Sequence, residues 1–126
     1  MTKIYKLFIV TIVGFLVIGC TSPKKYLYNY GNYSQSYYNL KKYQTDEAGL
    51  ELQKAMEKTI AESKNSLSKR VPPGMYANLG YLYLKAGKSS EAIESFTKEK
   101  TTYPEATHFM DRMIKKVEVT EGKNNE

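Results

Sequence analysis

"VPPGMYANLGYLYLKAGKSSEAIESFTKEKTTYPEATHFMDRMIKK", residues 71–116, predicts three helices and contains the signals that separate them. Pro72-Pro73-Gly74 is a break followed by a helix start, after which Tyr76, Leu79, Gly80 and Tyr83 recur at helical spacing. Gly87 ends that helix. Ser89 and Ser90 offer a cap for the next one, Glu91 suits the positive end of its dipole, and Ala92, Ile93 and Phe96 form its apolar stripe. Pro104 opens a third helix whose expected buried side is Phe109, Met110, Met113 and Val117.

Two helices with these residue types in this order, counted from Pro73 through Tyr76, Leu79-Gly80, Tyr83, Gly87, Ala92 and Phe96 to Pro104, resemble a tetratricopeptide repeat. Gly80 and Ala92 are small where two helices would cross closely, and Tyr83 and Phe96 would fill the space beside the crossing. Glu99 departs from the pattern, since a small residue is usual there, so the second helix is expected to sit further from its neighbour at that point. In such stacks the first helix of each pair lines the concave face. The resemblance therefore implies a partner-binding surface made of Ala77, Asn78, Tyr81, Leu84 and Lys85, with Tyr76, Leu79 and Tyr83 pointing inward.

Upstream, "YLYNYGNYSQSYYNLKKY" at residues 26–43 holds seven of the chain's 12 tyrosines, which makes their spacing the next thing to read. A strand explains Tyr26, Tyr28 and Tyr30 by alternation until Gly31-Asn32 breaks the count. A helix explains more, because Tyr26, Tyr30, Tyr33, Tyr37 and Leu40 then form a single packing stripe. Gly31 would cost that helix about 1 kcal/mol relative to Ala, tolerable if a neighbour packs closely there. The segment is also rich in Asn, Ser and Gln, which keeps an interaction strand of amyloid type open. After a turn at Gln44-Thr45-Asp46, Leu52, Met56, Ile60 or Thr59, Ser63 and Leu67 line one face of an amphipathic helix. The expected fold is all-α: a tetratricopeptide-like stack of two helical hairpins closed by a C-terminal capping helix, spanning residues 26–118, with a polar, frayed tail at 119–126.

The chain opens with Lys3 and Lys6, an apolar run from Leu7 to Ile18, and Cys20 after a small residue. This is a signal-peptide layout, and the run is short of the roughly 20 apolar residues a spanning helix needs. Val17-Ile18-Gly19-Cys20 resembles the lipobox of bacterial lipoproteins. Cys20 is the only cysteine, so it has no partner for an internal disulfide and lipidation accounts for it. The resemblance implies a cleaved leader at 1–19, acylation of Cys20 and a lipidated tether at 20–25. Thr21, where an Asp would signal otherwise, implies delivery to the outer membrane, with the domain facing the periplasm. Two or three acyl chains, at about 0.8 kcal/mol per buried methylene, make such attachment effectively permanent.

What remains is one small domain, able to bury about 60–65% of its unfolded surface and too short for two cores. The formal charge of the whole chain is +6, and two of those charges belong to Lys3 and Lys6. Without them it is +4, and the remaining basic residues are spread out, as at Lys24/Lys25, Lys69/Arg70 and Lys115/Lys116. That pattern suits solvated helix faces and a tether near an anionic membrane, and no nucleic-acid partner is expected.

"YNYGNYSQSYY", "VPPGMYANLGYLYLKAG" and "EKTTYPEATHFMDRMIKK" together resemble a family of small Gram-negative lipoproteins, the domain-of-unknown-function family 4810. Members are typically encoded beside a lipoprotein resembling CsgG, the curli secretion channel. The resemblance implies an accessory role in an outer-membrane lipoprotein assembly or secretion system and supplies no catalytic residues.

The residues themselves show no catalytic constellation. Lys88-Ser89 after Gly87 looks like the end of a phosphate-binding loop, but Leu82 stands where that motif needs glycine. His108 is the only histidine, with Asp111 one turn away, which is at most half a metal site. No second cysteine exists for redox work, and Asp46-Glu47 sits where a helix start favours negative charge. Asn32-Tyr33-Ser34 matches a glycosylation sequon of little meaning in a bacterial lipoprotein. The expectation is a scaffold that binds another protein, with no enzymatic activity, cofactor or metal. The competing expectation is a structural lipoprotein that chaperones or seeds extracellular fibres through the tyrosine segment.

Overall fold

The computed structural model describes residues 26–124, with side chains through Glu121. The leader at 1–19, Cys20 and the tether at 20–25 lie outside the described residues. Within them the fold is all-helical, as expected: α1 (Tyr33–Tyr43), α2 (Asp46–Ala61), α3 (Met75–Lys85), α4 (Ser89–Thr102) and α5 (Thr107–Asn124), with single 3₁₀ turns at Ser63–Asn65 and Pro104–Ala106. Helix α1 packs on α2, α3 on α4, and α5 against α4, while α2 and α3 join the two hairpins.

Local chemistry sets most of the boundaries. Gln44 takes a left-handed conformation (φ 54°) and its amide donates to the Leu40 carbonyl, which stops α1. Thr45 then caps α2 by accepting from the Ala48 amide at 3.2 Å, with Asp46 and Glu47 in the first turn against the helix dipole. Gly87, at φ 71°, ends α3 as its position predicts. The expected serine cap of α4 does not form. Lys88 occupies the cap position and Ser89 is already inside the helix, without a side-chain capping bond.

Two apolar clusters make up the core. Leu52 and Met56 of α2 meet Met75 and Leu79 of α3 in one, and Ala92 and Phe96 of α4 meet Met110 and Val117 of α5 in the other. Tyr83 packs against both, and its hydroxyl also donates to the Glu57 carboxylate at 3.1 Å. The α3–α4 crossing is as close as Gly80 and Ala92 predict. A Cβ on Gly80 would lie 2.8 Å from Phe96 Cε1 and 3.1 Å from the Ala92 carbonyl oxygen.

Glu99 reverses the expectation of a wider gap. It is only 3% exposed, and its carboxylate accepts from the Gly74 amide at 2.7 Å and the Ala77 amide at 3.2 Å. Gly74, at the cap position of α3, has no side chain to satisfy those amides. Glu99 of α4 therefore caps α3 from outside and draws the two helices together.

The tyrosine stripe is also corrected. Helix α1 begins at Tyr33, so Tyr26 and Tyr30 precede it. Gly31 holds φ 51° in a turn where its amide donates to Asn29 Oδ1, a conformation that breaks a helix before it can reach Tyr26. The close neighbour expected at Gly31 is Thr59, whose Oγ1 would sit 3.4 Å from an added Cβ. Within α1 the buried residue is Ser36, flanked on the core side by Tyr33 and Leu40, while Tyr37 is exposed. A small residue at the contact lets the helices approach and turns Tyr37 outward.

Three further expectations shift. In α2 the buried residues are Ala48, Leu52, Met56 and Thr59, with Ile60 half-buried; the helix stops at Ala61, so Ser63 is buried in a 3₁₀ turn and Leu67 is exposed in the following loop. In α5 Phe109 is exposed, and the seam runs through Met110, Met113 and Val117, with Ala106 and Ile114 beside it. The residues after Glu118 continue α5 to Asn124, with Thr120 Oγ1 donating to the Lys116 carbonyl.

Tyr103 closes the base of the second hairpin. It is buried, its hydroxyl donates to the Val71 carbonyl, and the Arg70 guanidinium lies 4.7 Å over its ring. Burial first, then the neighbouring Tyr28 hydroxyl, push the Tyr103 phenol up to about 12, with Arg70 pulling the other way.

Three stability predictions follow from these contacts. Gly80→Ala should cost about 1–3 kcal/mol of overpacking, partly offset by about 1 kcal/mol of helix propensity. Gly49→Ala, in α2 with nothing within 4 Å, should instead stabilise by about 0.5–1 kcal/mol. Urea midpoints that move in the same direction for both would show that α3 and α4 do not cross at Gly80. Glu99→Ala strands two amides and should destabilise by roughly 2–4 kcal/mol, with Glu99→Gln intermediate because one carbonyl can still accept; equal midpoints for wild type and Glu99→Ala would remove the cap. Because Tyr103 is held neutral in the fold, its contribution is complete below pH 10, the unfolded value, and is lost as pH rises through about 12. Melting temperature should fall across that window, and less steeply in Tyr103→Phe.

Candidate functional site

Of the five residues expected to line a docking face, Asn78, Tyr81 and Lys85 are exposed, whereas Ala77 and Leu84 are half-buried and pack against the α4–α5 cluster. The face is therefore narrower on α3 than its sequence suggests. Leu84 and Ala77 sit one helical turn from the Phe96 crossing, and α4 and α5 cover them.

On the other side the surface is wider, because α1 joins it. The Tyr33 hydroxyl accepts from Asn78 Nδ2 at 3.0 Å, tying the first hairpin to the exposed side of α3. Tyr33 stacks at 6.4 Å from Tyr30 and 6.0 Å from Tyr37, ring centre to ring centre, both tilted. Burial, with Tyr37 and Tyr30 close by, raises the Tyr33 phenol, so the hydroxyl stays protonated throughout the physiological range. Tyr30 just before α1, Tyr37 on α1 and Tyr81 on α3, each a little under half exposed, then share one surface.

Lysines decorate it. Lys41 Nζ lies 5.6 Å over the Tyr37 ring, and Lys85 Nζ lies at the same distance over Tyr81. Each contact is worth about 0.5–1 kcal/mol at an exposed site and leaves the ammonium free to meet an acceptor. The surface thus offers phenol edges, hydroxyl donors and cations on rigid helical supports. Tyrosine gives contact area at low entropic cost, which is why it recurs in protein interfaces.

Tyr30 and Tyr37 were expected on the packing side. The signal that places them outward is Ser36: a small residue between large ones, three after Tyr33 and four before Leu40, defines the close helix contact and leaves the tyrosine beside it to solvent. Asn78 acquires a structural bond in place of a purely exposed role.

His108 is exposed on α5, and Asp111 is taken by Lys100 at 2.6 Å. Among the described residues no group of three or more His, Cys, Asp or Glu side chains is placed to hold a metal ion, and no helix is long and apolar enough to cross a membrane.

Comparison with curated proteins and with solved structures finds no match. A protein-family model does match. It covers residues 27–113, from the arm preceding α1 to the buried seam of α5, so it takes in both hairpins and the whole tyrosine surface. On that match the chain belongs to the family described as Domain of unknown function (DUF4810).

Proposed function

We propose that this protein is an outer-membrane lipoprotein, acylated at Cys20 and facing the periplasm, whose helical domain is a protein-binding scaffold without enzymatic activity. In this reading it serves as an accessory subunit of a CsgG-like lipoprotein assembly or secretion system, and its two hairpins are tetratricopeptide-like. The lipobox-like Val17–Cys20 supports the anchor. The small residues at the α3–α4 crossing support the repeat.

One observation carries the scaffold reading: the Tyr33–Asn78 hydrogen bond, which unites exposed tyrosines of α1 and α3 into a single surface. A patch built across two hairpins is rigid before a partner arrives, so little ordering entropy is lost on docking. The fibre-seeding alternative has a smaller basis, the non-helical and largely exposed stretch 26–32.

Tyr37→Ser with Tyr81→Ser tests the scaffold. Both side chains are exposed and neither belongs to a core cluster, so the double variant should keep its melting temperature. Purified from native membranes after crosslinking, wild type should bring down a CsgG-like lipoprotein and the variant should lose most of it. Equal recovery would place docking elsewhere, and thioflavin-positive fibres from wild type that the variant cannot form would favour the alternative.

A further inference from the structure

The described chain enters the fold at one end of the helical stack and is pinned there. The Leu67 and Ser68 amides donate to the Tyr26 and Leu27 carbonyls, each at 3.0 Å, so the N-terminal arm lies along the loop between α2 and α3. Other ties gather at the same end. The Thr59 hydroxyl donates to the Tyr30 carbonyl, the Gly74 amide to Glu99, and the Arg70 guanidinium to the Thr102 carbonyl.

This end carries an ordered apolar patch. Tyr26, Leu27 and Leu67 are 66%, 62% and 56% exposed, although hydrogen bonds fix the backbone of all three. Beside them Lys64, Lys69 and Arg70 take part in none of the ion pairs among the described residues. The nearby acids are largely engaged: Glu62 pairs with Lys58 at 3.8 Å and Asp111 with Lys100 at 2.6 Å, leaving Glu105.

Position selects the occupant. Cys20 lies six positions before Tyr26 in the sequence, and a chain reaches at most about 3.6 Å per residue. A lipid on Cys20 would hold this patch within roughly 20 Å of the bilayer, while Glu47, at the far end of α2, stands about 20 Å higher along the helix. The geometry points to a membrane-seating face: Tyr26, Leu27 and Leu67 enter the headgroup layer, and Lys64, Lys69 and Arg70 meet the phosphates of anionic lipids. The inference rests on the lipid-anchor reading above and adds an orientation to it, with the helices standing on the bilayer by the end that bears the α2–α3 loop.

The test uses the acylated protein reconstituted in phosphatidylcholine vesicles with and without phosphatidylglycerol. A thiol fluorophore is placed at Asn65→Cys, beside the patch, or at Glu47→Cys, at the other end; both positions are exposed. Lipids carrying a headgroup quencher should quench the label at 65 several-fold more than the label at 47, and more strongly when phosphatidylglycerol is present. Lys64→Glu with Lys69→Glu should remove that added quenching while helical circular dichroism is unchanged. Equal quenching at the two positions in a protein whose mass shows the acylated Cys20 would overturn the seating face alone. A mass without the lipid would instead overturn the anchor on which it rests.

Discussion

Helices α3 and α4 meet at a point where neither can retreat. Gly80 leaves room only for the Phe96 ring and the Ala92 carbonyl, and at the start of α3 the Glu99 carboxylate holds the Gly74 and Ala77 amides. A buried carboxylate loses its hydration on folding, and only donors as well aligned as backbone amides at a helix start offset that loss. The spacing of the second hairpin is therefore fixed from both sides, by contact at Gly80 and by attraction at Glu99. Tyr83 transmits that spacing to the first hairpin because it packs in both clusters and bonds Glu57.

The second hairpin was legible in the sequence for the same reason. Gly80, Ala92, Phe96 and Gly87 act through size and backbone conformation, properties that belong to single residues and survive any detail of packing. Glu99 was misread because its partners are backbone amides 22 and 25 residues away, and backbone amides carry no sequence signal. The tyrosine segment failed differently. Tyr26, Tyr30, Tyr33 and Tyr37 keep a helical period that the chain does not follow, since Gly31 turns left-handed and Ser36 supplies the contact. Phe109 shows the limit of reading one face from hydrophobicity: Met110 and Val117 take the seam, and Phe109 is left outside it. Of the candidate surface, the sequence suggested Tyr81 and Lys85, but the contribution of α1 depends on one side-chain bond across 45 residues.

Charge and aromaticity are arranged differently on the tyrosine surface and at the α2–α3 end of the fold. Along α1 and α3 the exposed Tyr37, Tyr43 and Tyr81 each have a lysine over the ring, giving a patterned, hydrogen-bonding surface suited to a specific partner. Around the α2–α3 loop the exposed Tyr26, Leu27 and Leu67 stand beside Lys64 and Lys69 with no cation over an exposed ring, Arg70 lying over the buried Tyr103, an arrangement that suits a surface that is broad, charged and fluid.

The Tyr33–Asn78 bond also bears on how the chain finds its fold. Apart from that tie and the two longer bonds that pin the N-terminal arm to the α2–α3 loop, the side-chain hydrogen bonds that join separate parts of the fold span between 11 and 32 residues, the reach of a hairpin or of its immediate neighbour. Loops of that length close at modest entropic cost, so each hairpin can zip up on its own before the two dock. A chain that becomes available one segment at a time can in this way bury α1 on α2 before α3 arrives, and the late pairing of Tyr33 with Asn78 marks the moment the exposed tyrosines become a single surface.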